Sequence, residues 1–210
     1  MLSADAIVNL QDQQTRIWHR TPEDGGACAF AGKDTDPTAE TDWLSSVVRQ
    51  HRANFDLWHI EDEARTPGAA DTELAEIKRR VDRTNPLRND LAEALDRALL
   101  GWLEPRSLPD PMAKLNSESP GLIIDRLSIL SLKIYHTREE AERTDAPQSH
   151  AERNRERLTI LEEQRADLAG CLEALWQETL AGTRRFKLYR QLKMYNDPTL
   201  NPAIYRKLIQ

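Results

Sequence analysis

Residues 122–135, LIIDRLSILSLKIY, are apolar on almost every side when wound as a helix. A helix without a polar face has to be enclosed by other helices, so this stretch demands a bundle with itself near the centre. The rest of the chain can supply the neighbours. Ala, Leu, Glu and Arg are abundant, strand formers are sparse, and there are only 8 Gly in 210 residues. That length is enough to bury a sizeable core.

Helical periodicity outlines about five segments. Ser3 can cap a first helix over residues 3–19, with Ile7, Leu10, Ile17 and Trp18 inward. Residues 20–35 read as a Gly- and Pro-rich loop, and Asp36-Pro37 as the start of a second helix ending before Thr66-Pro67-Gly68. A third helix runs from Asp71 towards Trp102, with a kink or break expected at Asn85-Pro86 because proline removes a backbone donor. Ser119-Pro120 opens the fourth. Ser149 and Glu152 have the spacing of a capping box for the fifth, which runs to about Leu180 on a seam of Leu158, Leu161, Leu168, Leu172 and Leu175. Arg165 takes the missing step of that seam and sets a cation beside the core. The expected fold is all-α: an antiparallel bundle of about five helices with a C-terminal basic extension. The divisions are 1–37 (helix and loop), 38–183 (bundle core) and 184–210 (basic segment docking on the core).

Cys28 and Cys171 have no zinc or disulfide spacing, the first residues lack a signal-peptide pattern, and no apolar run is long enough for a bilayer. A cytoplasmic protein is expected, with no membrane role. Net charge is −6, yet residues 184–210 carry seven Lys/Arg against Asp197, so the remainder carries −12. RRFKLYRQLKMY interleaves cations with Phe186, Tyr189 and Tyr195, but the acidic whole argues against nucleic acid. The conformation of residues 184–195 stays open between strand and helix.

Four polar constellations stand out. In LWHIEDEAR, residues 57–65, helical spacing puts His59 on one side with Asp62 and Glu63, where a carboxylate would orient the imidazole for proton transfer. In the central helix, Asp125, Ser128, Leu132 and His136 form one stripe, and a buried Asp125 requires a partner such as Arg88 or Arg165. NPLRNDLAEALD contributes Arg88 and Asn89, groups that recognise polar small molecules. Lys133 and Arg190 add positive charge. His59, Asp62, Asp125 and His136 could also bind a metal, but neither a Glu-x-x-His nor a His-x-x-x-His pair is present, so no metal is expected.

LWHIEDEAR, NPLRNDLAEALD, SPGLIIDRLSILSLKIYHTREEAERTD and FKLYRQLKMYNDPTLNP, in that order, resemble the bacterial family called domain of unknown function 4254, over roughly residues 38–205. The resemblance implies a helical, cytoplasmic protein whose relatives are encountered near glycosyltransferase-type genes. Pro86 departs from the family, which more usually has a helix-compatible residue there.

Together these readings describe a pocket formed by His59, Asp62, Asp125 and His136 as proton-transfer groups, with Arg88, Asn89, Lys133 and Arg190 binding ligand. The expected ligand is an anionic small molecule, such as a phosphorylated or nucleotide-linked sugar, with no cofactor assigned. The competing reading is a non-catalytic partner or scaffold for a glycosyltransferase-type enzyme, self-associating or binding protein through its aromatic residues.

Overall fold

A computed structural model of the chain describes residues 2–20, 39–192, 199–202 and 206, with the side chains of 39–41 outside the description. Among the described residues there are five helices: α1 (Ala4–Arg20), α2 (Ala39–Glu63), α3 (Asp71–Leu103), α4 (Pro120–Glu142) and α5 (Gln148–Leu180). None is long and apolar enough to cross a membrane.

α4 packs against all four other helices, as its all-round apolarity requires. Its Ile123, Ile124 and Leu127 join Ile7 of α1, Val47 of α2, Leu99 of α3 and Leu172 of α5 in one buried cluster. Ser3 caps α1 as expected, its Oγ accepting the Ala6 N–H at 3.4 Å. The cap of α4 comes from elsewhere. Asp96 of α3 accepts the Ser119 hydroxyl at 2.5 Å and the Gly121 N–H at 2.7 Å, so one carboxylate holds the start of the central helix.

Several sequence expectations change. The third helix passes through Pro86 without a break, because the lost backbone bond is a local cost while α3 buries residues on both sides of it, Ile77 before and Ala92 and Leu95 after. Ser149 and Glu152 are not a capping box: α5 already starts at Gln148, with Pro147 at the cap position. Ile17 is exposed rather than inward. The expected start at Asp36-Pro37 lies outside the described residues, as does Cys28.

Residues 184–195 open as neither long strand nor helix. β1 (Lys114–Leu115) and β2 (Arg184–Arg185) form a two-residue parallel ladder that ties the α3–α4 connector to the chain after α5. Phe186 is buried in the core beyond it, residues 186–192 are irregular, and 193–198 lie outside the described residues. Arg165, in the gap of the leucine seam, pairs with Asp12 of α1 at 2.8 Å.

Candidate functional site

The last turn of α1, the last turns of α2 and the second turn from the end of α4 meet at three histidines. His19, His59 and His136 present nitrogen atoms that all lie within 4.8 Å of one another, and each residue is half-buried. Among the described residues no other group of three His, Cys, Asp or Glu comes together in this way.

The Nδ1 contact of each ring fixes its tautomer. His19 Nδ1 lies 2.7 Å from the Thr15 carbonyl and His59 Nδ1 lies 2.9 Å from the Phe55 carbonyl. A carbonyl only accepts, so both Nδ1 atoms carry the proton and both Nε2 atoms keep a lone pair. His136 Nδ1 faces Glu139 Oε2 at 3.0 Å, which selects the same tautomer. Nε2 of His19 and of His136 is buried with no hydrogen-bond partner among the described residues.

Aromatic rings enclose the cluster. Tyr135 stacks on His19 at 4.2 Å, Trp58 lies nearly parallel to His136 at 5.1 Å, and Phe55 packs on His59 at 4.3 Å. Burial pushes the His19 pKa below its ordinary value, against the opposing Thr15 hydrogen bond, and the neighbouring imidazoles of His136 and His59 push the same way. His19 is therefore neutral near pH 7. At the edge, burial and Glu139 raise the Tyr135 phenol above its usual range, while Arg20 acts in the opposite sense.

A second polar feature runs through the interior. Asp125 Oδ1 accepts from Gln50 at 2.6 Å and from Asn54 at 2.9 Å, and Arg88 lies 3.7 Å from its other oxygen. Asn54 also donates to Ser128 Oγ at 2.9 Å, and Ser128 lies 2.7 Å from His51 Nδ1. His51 Nε2 in turn lies 2.9 Å from Thr15 Oγ, and Thr15 supplies the carbonyl that holds His19. Burial raises the Asp125 carboxyl; Arg88, Asn54 and Gln50 pull it back.

Of the four residues assigned to proton transfer, two meet. His59 and His136 rings are 5.7 Å apart. Asp125 sits 11 residues before His136 on α4, about 16 Å along the axis, so it belongs to the interior network. Asp62 is exposed, and the expected His59–carboxylate pair does not form. Glu63 is drawn across to Arg80 of α3, and His59 bonds its own helix backbone instead.

The ligand-binding set disperses too. Arg88 and Asn89 bond each other at 3.3 Å beside Asp125. Lys133 is exposed in a separate groove of about 940 Å³ between α4 and α5, lined also by Arg126, Asp167 and Glu178. Arg190 is exposed next to Gln191, whose N–H reaches Glu93 of α3.

Sequence reasoning missed His19 and Glu139. The i,i+3 rule applied to His136 would have found Glu139. For His19 the one signal was its place beside Trp18, on a helix end that carries two basic residues.

The fold and this cluster define an all-helical bundle protein with an imidazole centre at the ends of two helices and the flank of the central one. The family model described as "Protein of unknown function (DUF4254)" matches residues 44–188, and the chain belongs to that family. No curated protein and no solved structure matches it.

Proposed function

We propose that this protein acts on a small, oxygen-rich anionic molecule at the His19–His59–His136 centre. The observation that carries the reading is the convergence of three like-tautomer imidazoles whose Nδ1 atoms are already engaged. Packing alone leaves no reason for buried acceptor nitrogens to face one another unpaired, since each such group costs about 1–3 kcal/mol. Arg20, which follows His19 and reaches Tyr135 electrostatically, supplies cationic charge at the rim. Hydroxyls of a sugar-like ligand suit the Nε2 acceptors, and a phosphate suits the arginine.

Among the described residues the most exposed large apolar side chains, Met112, Leu192, Ile160 and Leu87, lie on different elements, the α3–α4 connector, the segment after β2, α5 and α3, which does not favour a scaffold role.

Nitrogen-15 spectra of the imidazoles during titration with a hexose phosphate, a nucleotide-linked sugar and a neutral hexose test the reading. The anionic ligands are expected to move the His19, His59 and His136 signals, with the Lys133→Ala variant responding like wild type. No response at these rings to any of the three would end it.

A further inference from the structure

We propose that His19, His59 and His136 bind one divalent transition-metal ion through Nε2, leaving at least one coordination position open. This deepens the reading above, because it rests on the same centre and names what the centre holds. Three imidazole lone pairs gathered in one place repel an anion. A cation among them makes that point attract one.

Four independent features fit an ion. First, every ring donates or presents its other nitrogen to an oxygen: the carbonyls of Thr15 and Phe55, and the carboxylate of Glu139. This is the outer arrangement that fixes tautomer and raises basicity in metal-binding histidines. Second, the buried Nε2 atoms of His19 and His136 have no hydrogen-bond partner among the described residues, and one ion satisfies them together.

Third, the geometry is close to what coordination needs. Bonds of about 2.1 Å in a tetrahedron put ligand nitrogens about 3.4 Å apart. The nitrogens here lie within 4.8 Å, so ring rotations that move each atom by roughly 1 Å close the set. Fourth, Phe55, Trp58 and Tyr135 surround the centre with apolar rings, and a low-dielectric wall strengthens binding of charge at a fixed point.

The donor set indicates the class of ion. Three imidazoles with no carboxylate in the inner set suit Zn²⁺, Co²⁺, Ni²⁺, Cu²⁺ or Fe²⁺, and are poor for Mg²⁺ or Ca²⁺, which require oxygen. Three protein ligands with an open position is the pattern of reactive sites, whereas structural zinc is closed by four. The open position would take water or an oxygen of the anionic ligand.

Chelator-stripped full-length chain titrated with Zn²⁺ by calorimetry, and with Co²⁺ by visible absorption, tests the proposal. One equivalent is expected to bind, with Co²⁺ bands of four- or five-coordinate intensity and no competition from millimolar Mg²⁺. His19→Ala, His59→Ala and His136→Ala should each weaken binding at least 100-fold. Glu139 is 52% exposed, so Glu139→Gln leaves the fold intact; it should weaken binding about 10-fold by loosening His136. His150 pairs with Glu140 at 2.7 Å away from the cluster, and His150→Ala should bind like wild type.

Absence of stoichiometric binding, or equal binding by the three cluster variants and wild type, overturns the proposal. So does equal weakening by Glu139→Gln and His150→Ala. Hexose phosphate titrated with and without Zn²⁺ separates the two readings. Binding of the sugar phosphate to metal-free protein that takes up no Zn²⁺ removes the metal and keeps the ligand. Zn²⁺ uptake without any sugar-phosphate response supports the metal and removes the ligand.

Discussion

Thr15 Oγ lies 2.9 Å from His51 Nε2, and the same hydroxyl stands 2.9 Å from the Gln11 carbonyl. The carbonyl takes the hydroxyl proton, so Thr15 Oγ must accept from His51, and His51 carries its proton on Nε2. Its Nδ1 then accepts from the Ser128 hydroxyl, which is free to donate because it accepts from Asn54. One threonine thereby fixes a tautomer on the neighbouring helix α2. Its backbone carbonyl holds His19 as well.

Replacing Thr15 with Val keeps the shape and removes the acceptor, leaving a buried N–H on His51 with nothing to bond. Thr15→Val should lower unfolding free energy by about 1–3 kcal/mol in urea titrations, and Thr15→Ser should recover most of it. Equal stability of the valine variant and wild type would show that the hydroxyl is idle.

His51 is fully buried, and burial pushes its pKa down to about 3, against the opposing backbone contact at Gln11. The unfolded chain protonates this residue near 6.5. Between those values the unfolded state binds more protons, so stability falls as the pH falls. By pH 4.5 the contribution lost is about 2–3 kcal/mol relative to pH 7.5. His51→Gln can still accept from Ser128 and donate to Thr15 without titrating. The gap between wild type and this variant should therefore shift against wild type by that amount between pH 7.5 and 4.5. A constant gap would contradict a neutral His51.

Asp96 has the opposite sign. Burial raises its carboxyl to about 6, although the Ser119 hydroxyl and the Gly121 N–H both favour the ionised form. A folded value above the unfolded one of about 3.9 means the native state holds the proton longer. Its contribution is whole below the unfolded value and is lost as the pH rises through 6. Asp96→Asn keeps an acceptor for Gly121 and a donor for Ser119. Relative to wild type it should gain about 2–3 kcal/mol between pH 4 and pH 7, read from urea midpoints at the two values. A difference independent of pH would mean that folding leaves the Asp96 carboxyl at its unfolded value.

How much of this was legible depended on whether one helix carried the information. The central role of α4 was written in LIIDRLSILSLKIY, because a helix without a polar face has one kind of place to go. Arg165 was legible as a cation beside the core, but its partner Asp12 sits on another helix and nothing local names it. Asp125 was readable as a buried acid in need of a partner, with Arg88 and Arg165 as the candidates; Arg88 is the one beside it, and that Gln50 and Asn54 bond it as well is tertiary information. The site was half legible for the same reason. Spacing showed which residues share a side of α2 or α4, and not which way that side turns, so Asp62 was grouped with His59 although only the histidine faces inward. His19 looked like an ordinary basic residue at a helix end until α1 was set against α2 and α4.

The close approach of α3 and α4 gives the sharpest test of the packing. A Cβ added to Gly121 would stand 2.2 Å from the Ala92 carbonyl oxygen and 2.9 Å from the Asp96 carboxyl carbon. Neither neighbour can yield cheaply. One is helix backbone, and the other is the group that caps α4 by accepting the Gly121 N–H. Gly121→Ala must push the two helices apart or break the cap, and should cost 3 kcal/mol or more, roughly the range of the severe single substitutions. Gly101 serves as the comparison, because it lies in α3 with open space where its Cβ would go. Gly101→Ala should instead stabilise by about 0.5–1 kcal/mol through reduced freedom of the unfolded chain. Urea unfolding of both variants reads the contrast directly. A Gly121→Ala protein as stable as wild type would show that α3 and α4 do not meet at this distance, and with it would go the role of Asp96 as the cap of the central helix.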